Sequence, residues 1–208
     1  MDEKIHIDRF SELDYNKGIN SHWEKRDLAM AEIRIRNTNE RISGEEEVRV
    51  FLTKQNVLYE HWDTSKLPSE LYEKFVLSDE DKAQLLAAYD TEIRDLAGRR
   101  GYKVWDIVAL SEATPNLPEL LKKFEQVHTH TEDEVRAITA GRGIFIIKGD
   151  DETGYFDVEL SAGDVISVPE GQPHFFTLME NKAIVAVRLF IEPAGWVAEP
   201  FEDPAFVK

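Results

Sequence analysis

Short apolar runs separated by turn residues fill the second half of the chain, and this spacing is what most constrains the fold. After residue 101 the runs lie at 104–110, 144–148, 155–160, 164–168, 174–179 and 183–191. Turns rich in glycine and aspartate, such as 149–151 and 161–164, separate them. Many short strands at this spacing are typical of a β-sandwich or a β-barrel. We therefore predict a mainly β fold whose core spans about 101–196.

The first hundred residues predict two strands and at least two helices. Residues 31–36 alternate between apolar and polar side chains, and 57–62 form a second short apolar run. Ser43 and Ser78 are each followed three residues later by an acidic residue, which is the spacing of a helix-capping box. The helix after Ser78 has one apolar side, and Gly98 is placed to end it. We expect these N-terminal strands and helices to pack on the outside of the barrel.

The start of the chain differs from the rest. Residues 1–29 are mixed in charge and show no clear period, so they are predicted to form a weakly ordered extension. The remainder, 30–208, is predicted to be a single domain. The start also lacks a basic region followed by an apolar core, so no signal peptide is predicted and a cytoplasmic location is expected.

Composition excludes several kinds of function. The formal charge is −16, which disfavours binding to nucleic acid or to an anionic membrane. No apolar stretch in the sequence is long enough to span a bilayer. The chain has no cysteine, so any metal site must use histidine, carboxylate or water.

Histidines and a glutamate occur in two tight contexts. His128 and His130 alternate with threonine, so in a strand their side chains point the same way. A short turn can return Glu134 to that face, and His174 follows a Pro-Glu-Gly-Gln-Pro segment. Two imidazoles and a carboxylate suit Fe, Ni, Co or Mn, with His174 as a fourth ligand. An isolated pair of histidines would instead favour a polar surface pair.

The spacing around these residues matches the two-part motif of the cupin superfamily. The pattern is H-x-H-x3-E-x6-G followed by G-x5-P-x-G-x2-H, and it ends at His174. Lys122 and Leu178 depart from the general motif at positions that supply no ligand. The resemblance implies a double-stranded β-barrel, which is jelly-roll-like, with a few peripheral N-terminal helices.

A longer resemblance points to one family within the cupins. The sequence from about Met30 to about Trp196 resembles acireductone dioxygenases of methionine salvage. The segments that carry the resemblance are 100–102, 105–106, 124–136, 166–169, 173–174, 187–190 and 195–196.

That resemblance implies a substrate, a reaction and a cofactor. The substrate would be the acireductone 1,2-dihydroxy-3-keto-5-methylthiopentene, together with O2. With one Fe²⁺ per chain, the products would be formate and 4-methylthio-2-oxobutanoate. With Ni²⁺ as the alternative metal, they would be formate, carbon monoxide and 3-methylthiopropanoate.

Two arginines are candidates for contact with an anionic substrate. Arg136 lies two residues after Glu134, on the same face of a regular strand, where its charge would lower the pKa of a bound acid. We assign it a catalytic role. Arg188 lies in an otherwise apolar run and is the candidate for substrate binding. A structural ion pair remains the alternative for each.

The resemblance also implies a pocket wall and a supporting acid. Phe124, Phe176 and Trp196 match positions that line the family's substrate pocket, although each would otherwise be an ordinary core aromatic. Asp133 is a candidate for supporting the ligands or for a conformational role. Two positions differ locally from relatives. Ala137 stands where relatives commonly have phenylalanine, which predicts a looser pocket wall. Val127 stands where some relatives have an acidic residue that is linked to metal loading.

Two other functions remain open from the sequence. One is a different metal-dependent cupin dioxygenase or isomerase, and the other is a cupin that binds a small ligand without catalysis. Arg136, Arg188 and the Gly195-Trp196 pair argue against the first, and the full set of four ligands disfavours the second. The chain is expected to be a monomer.

Overall fold

Two β-sheets that share one long strand form the centre of the computed structural model, which describes residues 30–192, 197–204 and 206. Eleven strands occur in this part of the chain: β1 (Glu32–Ile35), β2 (Arg41–Ile42), β3 (Leu58–His61), β4 (Val104–Leu110), β5 (His128–Thr129), β6 (Glu134–Lys148), β7 (Tyr155–Ser161), β8 (Asp164–Val168), β9 (His174–Leu178), β10 (Ile184–Phe190) and β11 (Glu199–Pro200). The helices described there are α1 (Glu45–Lys54), α2 (Asp79–Ala88), α3 (Asp90–Arg100) and α4 (Leu117–Phe124). Short 3₁₀ turns lie at Thr64–Lys66 and Ser69–Leu71.

The sheets are joined because β6 belongs to both of them. One sheet has the order β11-β5-β9-β6-β7-β1-β2, and the other has the order β4-β10-β6-β8-β3, with every pairing antiparallel. The strand passes from one sheet to the other near Gly141, whose φ is 77°. A Cβ at Gly141 would lie 2.1 Å from the carbonyl oxygen of Ala183, so only glycine fits this crossing. This arrangement confirms the predicted double-stranded barrel.

Alternation along β6 separates an inner face from an outer one. Ile138 belongs to a buried cluster that takes side chains from both sheets. Val135 and Ala137 belong to a second cluster, in which the other face of β6 packs against α2 and α3. Glu134 and Arg136 have the same parity as Ile138, so they lie on the inner face. The strand therefore directs Glu134 and Arg136 into the barrel.

The N-terminal strands extend the sheets instead of packing outside them. β1 pairs with β7, and β3 pairs with β8 at the edge of the other sheet. The two sheets consequently reach beyond 101–196. None of the described helices is long and apolar enough to cross a bilayer. The predictions for 1–29 and for Trp196 fall outside the described residues.

Helix boundaries confirm one sequence prediction and correct others. Ser78 and Asp81 form the reciprocal capping box predicted at the start of α2. The predicted helix is divided at Tyr89, and Gly98 lies within α3, which ends at left-handed Gly101. The prediction of a capping box at Ser43 was wrong. Gly44 is the N-cap of α1, and no side chain caps this helix. Helix α4 was not predicted.

Candidate metal centre

The first residues of three strands bring the predicted ligands together. His128 begins β5, Glu134 begins β6 and His174 begins β9, while His130 lies between β5 and β6. The β5–β9 register places His128 directly opposite His174. One donor atom from each of the four residues lies within 4.8 Å of the others, and all four side chains are buried. The predicted set therefore converges inside the barrel, as a metal site requires.

Backbone carbonyl groups orient the three imidazole rings. The Nδ1 atoms of His128 and His174 lie 2.7 Å from the carbonyl oxygens of Gln126 and Gln172. The Nδ1 atom of His130 lies 3.3 Å from the carbonyl oxygen of Val197. A ring that donates from Nδ1 has its lone pair on Nε2, which is the tautomer that binds metal. Burial also lowers the pKa of His128, which favours the neutral ring.

The two carboxylate oxygens of Glu134 have different partners. Oε2 lies 2.7 Å from Nε2 of His130 and 3.0 Å from Nε2 of His174. Oε1 lies 3.0 Å from Nη2 of Arg136. Burial alone would raise the pKa of Glu134, but Arg136 and the two imidazoles outweigh it and hold that pKa well below its ordinary value. Oε2 is thus an anionic donor aimed at the histidines, and Arg136 fixes the other oxygen.

This donor set fits a divalent metal. Bonds of about 2.1 Å to nitrogen and oxygen place neighbouring ligands of an octahedral ion about 3.0 Å apart. The 2.7 and 3.0 Å separations from Oε2 of Glu134 to His130 and His174 are close to that value. Three neutral imidazoles and one carboxylate suit mid-row divalent ions such as Fe²⁺ and Ni²⁺.

A row of charges crosses three adjacent strands beside this cluster. Arg188 on β10 lies opposite Arg136 on β6 and opposite Asp106 on β4. Its Nε and Nη2 atoms donate to the two oxygens of Asp106 at 2.6 and 2.5 Å. Burial lowers the pKa of Arg136 to about 10, although Glu134 opposes this shift, so the guanidinium stays charged at neutral pH. The ion pair considered for Arg188 is present, and it lies on the barrel's inner face.

The described aromatic candidates lie in the same interior. Phe124 ends α4 and packs against the inner cluster, as does Phe176 on β9. The ring of Phe176 is 5.2 Å from Phe145, which is 6.0 Å from His174. Phe145 is fully buried, and the sequence patterns did not mark it as part of the site. Ala137 faces the helices, so the prediction that it loosens the pocket wall was wrong.

The loop between the ligands carries two further acids with defined contacts. Asp133 accepts from Nη2 of Arg100 at 2.6 Å and from the hydroxyl of Tyr102 at 2.8 Å. Its other oxygen accepts the backbone N–H of Glu170 at 3.2 Å. Asp133 therefore ties the ligand loop to the end of α3 and to the turn before His174. The buried neighbour Glu132 went unnoticed in the sequence, because nothing in the motif distinguishes it from a solvated acid.

Comparison with known proteins agrees with this geometry. The profile of the ARD/ARD′ family matches residues 32–198, which is most of the chain. The chain belongs to the ARD/ARD′ family. An acireductone dioxygenase from Geobacillus kaustophilus is 71% identical over 174 residues, covering 84% of this chain and 97% of the relative. One from Geobacillus thermodenitrificans is 70% identical with the same coverage.

A solved member of the ARD/ARD′ family has the same fold. It is an acireductone dioxygenase from Bacillus anthracis with a cadmium ion in its active center. The match has a TM-score of 0.79 and 51% identity, and it covers 82% of this chain and 98% of that one. The barrel predicted from the strand spacing together with the cupin motif is therefore the fold of this family.

Proposed function

We propose that the chain is an acireductone dioxygenase that uses a divalent metal held by His128, His130, Glu134 and His174. Its reaction would be the oxidative cleavage of 1,2-dihydroxy-3-keto-5-methylthiopentene by O2 in methionine salvage. The observation that carries the proposal is the convergence of these four buried donors on one point of the barrel interior, in a chain of this family. When bound, the metal would supply a Lewis acid and a template for the substrate's oxygens.

The charges around the cluster fit a doubly negative substrate. Glu134 and Asp106 each contribute one negative charge, and Arg136 and Arg188 each contribute one positive charge. These four residues sum to zero, so a divalent ion with neutral imidazoles leaves a net charge of about +2. A substrate that loses two protons from its ene-diol would neutralise that charge.

Arg136 is the residue proposed to favour deprotonation. Its side chain is 15% exposed and is fixed by Glu134, so the charge is held in place before substrate binds. A guanidinium cannot act as a base in the usable pH range, and its role is therefore electrostatic. Arg188, oriented by its two bonds to Asp106, would bind the substrate from the neighbouring strand.

Apolar side chains would complete the pocket. Phe124 and Phe176 are proposed to exclude water from one side of the substrate, and Trp196 is proposed to contribute to the wall. Asp133 would support the ligands by holding their loop against α3. Excluding water strengthens the attraction between the arginines and a bound anion.

The proposal also covers which metal the site binds. We propose Fe²⁺, one per chain, for the reaction that yields formate and 4-methylthio-2-oxobutanoate. Ni²⁺ in the same site would yield formate, carbon monoxide and 3-methylthiopropanoate. The monomeric state and the cytoplasmic location stay predictions.

The test is a metal-dependent product assay. Protein stripped of metal would be reloaded without oxygen with Fe²⁺ or with Ni²⁺, and then given acireductone and O2. Carbon monoxide should appear only with Ni²⁺, and the keto acid should appear with Fe²⁺. Consumption of a different enolisable substrate alone would support another cupin dioxygenase or isomerase. Tight binding without turnover under either metal would support a non-catalytic cupin.

A further inference from the structure

Glu132 is a buried carboxylate whose two oxygens both bind backbone amides. Oε2 accepts the N–H of Ile191 at 2.6 Å, and Oε1 accepts the N–H of Glu192 at 3.1 Å. The residue is only 6% exposed. Within the part of the chain that the structure describes, no basic side chain forms an ion pair with Glu132. The two amides therefore take the place of a counter-ion for this charge.

The position of Glu132 connects two parts of the proposed site. It lies in the loop between the ligands His130 and Glu134, and the amides that it binds directly follow β10. β10 carries Arg188, which is three residues before Ile191. A second contact holds the chain near Val197, because Nδ1 of His130 lies 3.3 Å from the carbonyl oxygen of that residue. Residues 191–192 and 197 are thus both attached to the ligand loop.

The neighbouring acid serves a different element. Asp133 binds Arg100, Tyr102 and the amide of Glu170, on the side of α3 and of the turn before His174. Of the two acids, Glu132 is the one that binds the amides following β10. Two consecutive acids therefore fix the ligand loop to two separate elements, and each makes a distinct contribution that mutation can separate.

We propose that Glu132 is a positioning residue, which fixes the end of the substrate-binding strand β10 against the metal-binding loop. The inference rests on the function proposed above. Arg188 must stay in register with the metal ligands to bind an anion that also reaches the metal. A carboxylate that binds two successive amides restrains both the direction and the register of the chain at that point. In sequence, this anchor directly precedes 193–196, which include the predicted wall residue Trp196.

Amide hydrogen exchange tests the contact without using the substrate. The amides of Ile191 and Glu192 should be protected in the parent protein, although Ile191 is 40% exposed. In Glu132→Gln, a neutral side chain offers one acceptor in place of two, and exchange at these two amides should rise about tenfold or more. The matched control is Glu180→Gln, at an exposed turn, which should leave both amides unchanged. Unprotected amides at 191–192 in the parent would overturn the proposal.

Steady-state kinetics tests whether the contact positions the site. With metal content equal to the parent by elemental analysis, Glu132→Gln should raise KM for acireductone about tenfold and lower kcat less. Glu132→Asp keeps the charge on a shorter chain and should recover part of the loss in KM. An increase in exchange with unchanged KM would reduce Glu132 to a structural anchor and refute its positioning role. A parent protein that does not turn over acireductone would instead refute the proposed function, while the exchange result would stand by itself.

Discussion

Replacement of Arg136 by alanine should remove two effects of one guanidinium. The first effect is on the metal ligand, because Nη2 of Arg136 lies 3.0 Å from Oε1 of Glu134 while Oε2 faces His130 and His174. The second is on the substrate, whose charged form the guanidinium favours. Arg136 is not one of the four residues that would hold the metal. Its contact with Glu134 adds an effect on metal affinity.

The size of each effect follows from the contact that is lost. Partners that orient a metal ligand typically cost about 10–100-fold in metal affinity or activity when they are removed. An opposite charge within about 4–6 Å typically shifts a pKa by about 1–3 units. We therefore expect Arg136→Ala to weaken metal binding about 10–100-fold. At saturating metal, turnover should still fall by at least about tenfold, since less of the substrate is doubly deprotonated.

Metal titration and ultraviolet spectroscopy measure the two effects separately. The spectral shift that marks the bound dianion should move to higher pH in Arg136→Ala. Arg136→Lys should recover part of the activity, because an ammonium keeps the charge but not the planar fork. The matched control is Arg142→Ala on the same strand, where the side chain is 48% exposed and lies 3.8 Å from Glu159. If Arg136→Ala bound metal, formed the dianion and turned over like the parent, Arg136 would be a structural residue.

Three further predictions concern stability. A hydrogen bond that the buried carboxylate of Asp164 accepts from the ring raises the pKa of His61. This pair therefore stabilises the fold below about pH 6.5 and loses its effect as pH rises through the folded-state pKa. His61→Gln should therefore be less stable than the parent at pH 5–6 in urea unfolding, with a gap that narrows by pH 9; a constant gap would contradict the pair. Ser78→Ala removes the cap on the N–H of Asp81 and should lower the free energy of unfolding by about 1 kcal/mol. An unchanged free energy of unfolding would show that the cap does not stabilise the fold. A chain that begins at Met30 should keep its Tm and activity, and loss of soluble protein would show that 1–29 contribute to the fold.

The parts of the fold and site that the sequence predicted depend on local patterns. The spacing from His128 to His174 identified the four residues that converge, because the motif segments place them at strand starts or in the loop between β5 and β6. The capping box at Ser78 was predictable because both of its hydrogen bonds form within four residues. The limits of β4 were predicted correctly, since its apolar run has a clear beginning and end.

One feature escaped prediction for a local reason, and two others depend on contacts distant in sequence. Ser43 has the right spacing for a cap, but Gly44, with φ of 98°, takes the N-cap position. The crossing of β6 between sheets depends on the approach of Ala183 to Gly141, which no local pattern records. The burial of Glu132 depends on amides about sixty residues away, and so it looked like a solvated acid in the sequence.

The central claim is that this chain, with Fe²⁺ in the histidine–glutamate cluster, cleaves the acireductone with both atoms of O2. Mass spectrometry of products formed under ¹⁸O2 tests it most directly. One labelled oxygen is expected in formate and one in 4-methylthio-2-oxobutanoate, with no product from a His174→Ala variant. Label from water in place of O2, or equal turnover by the His174→Ala variant, would contradict it.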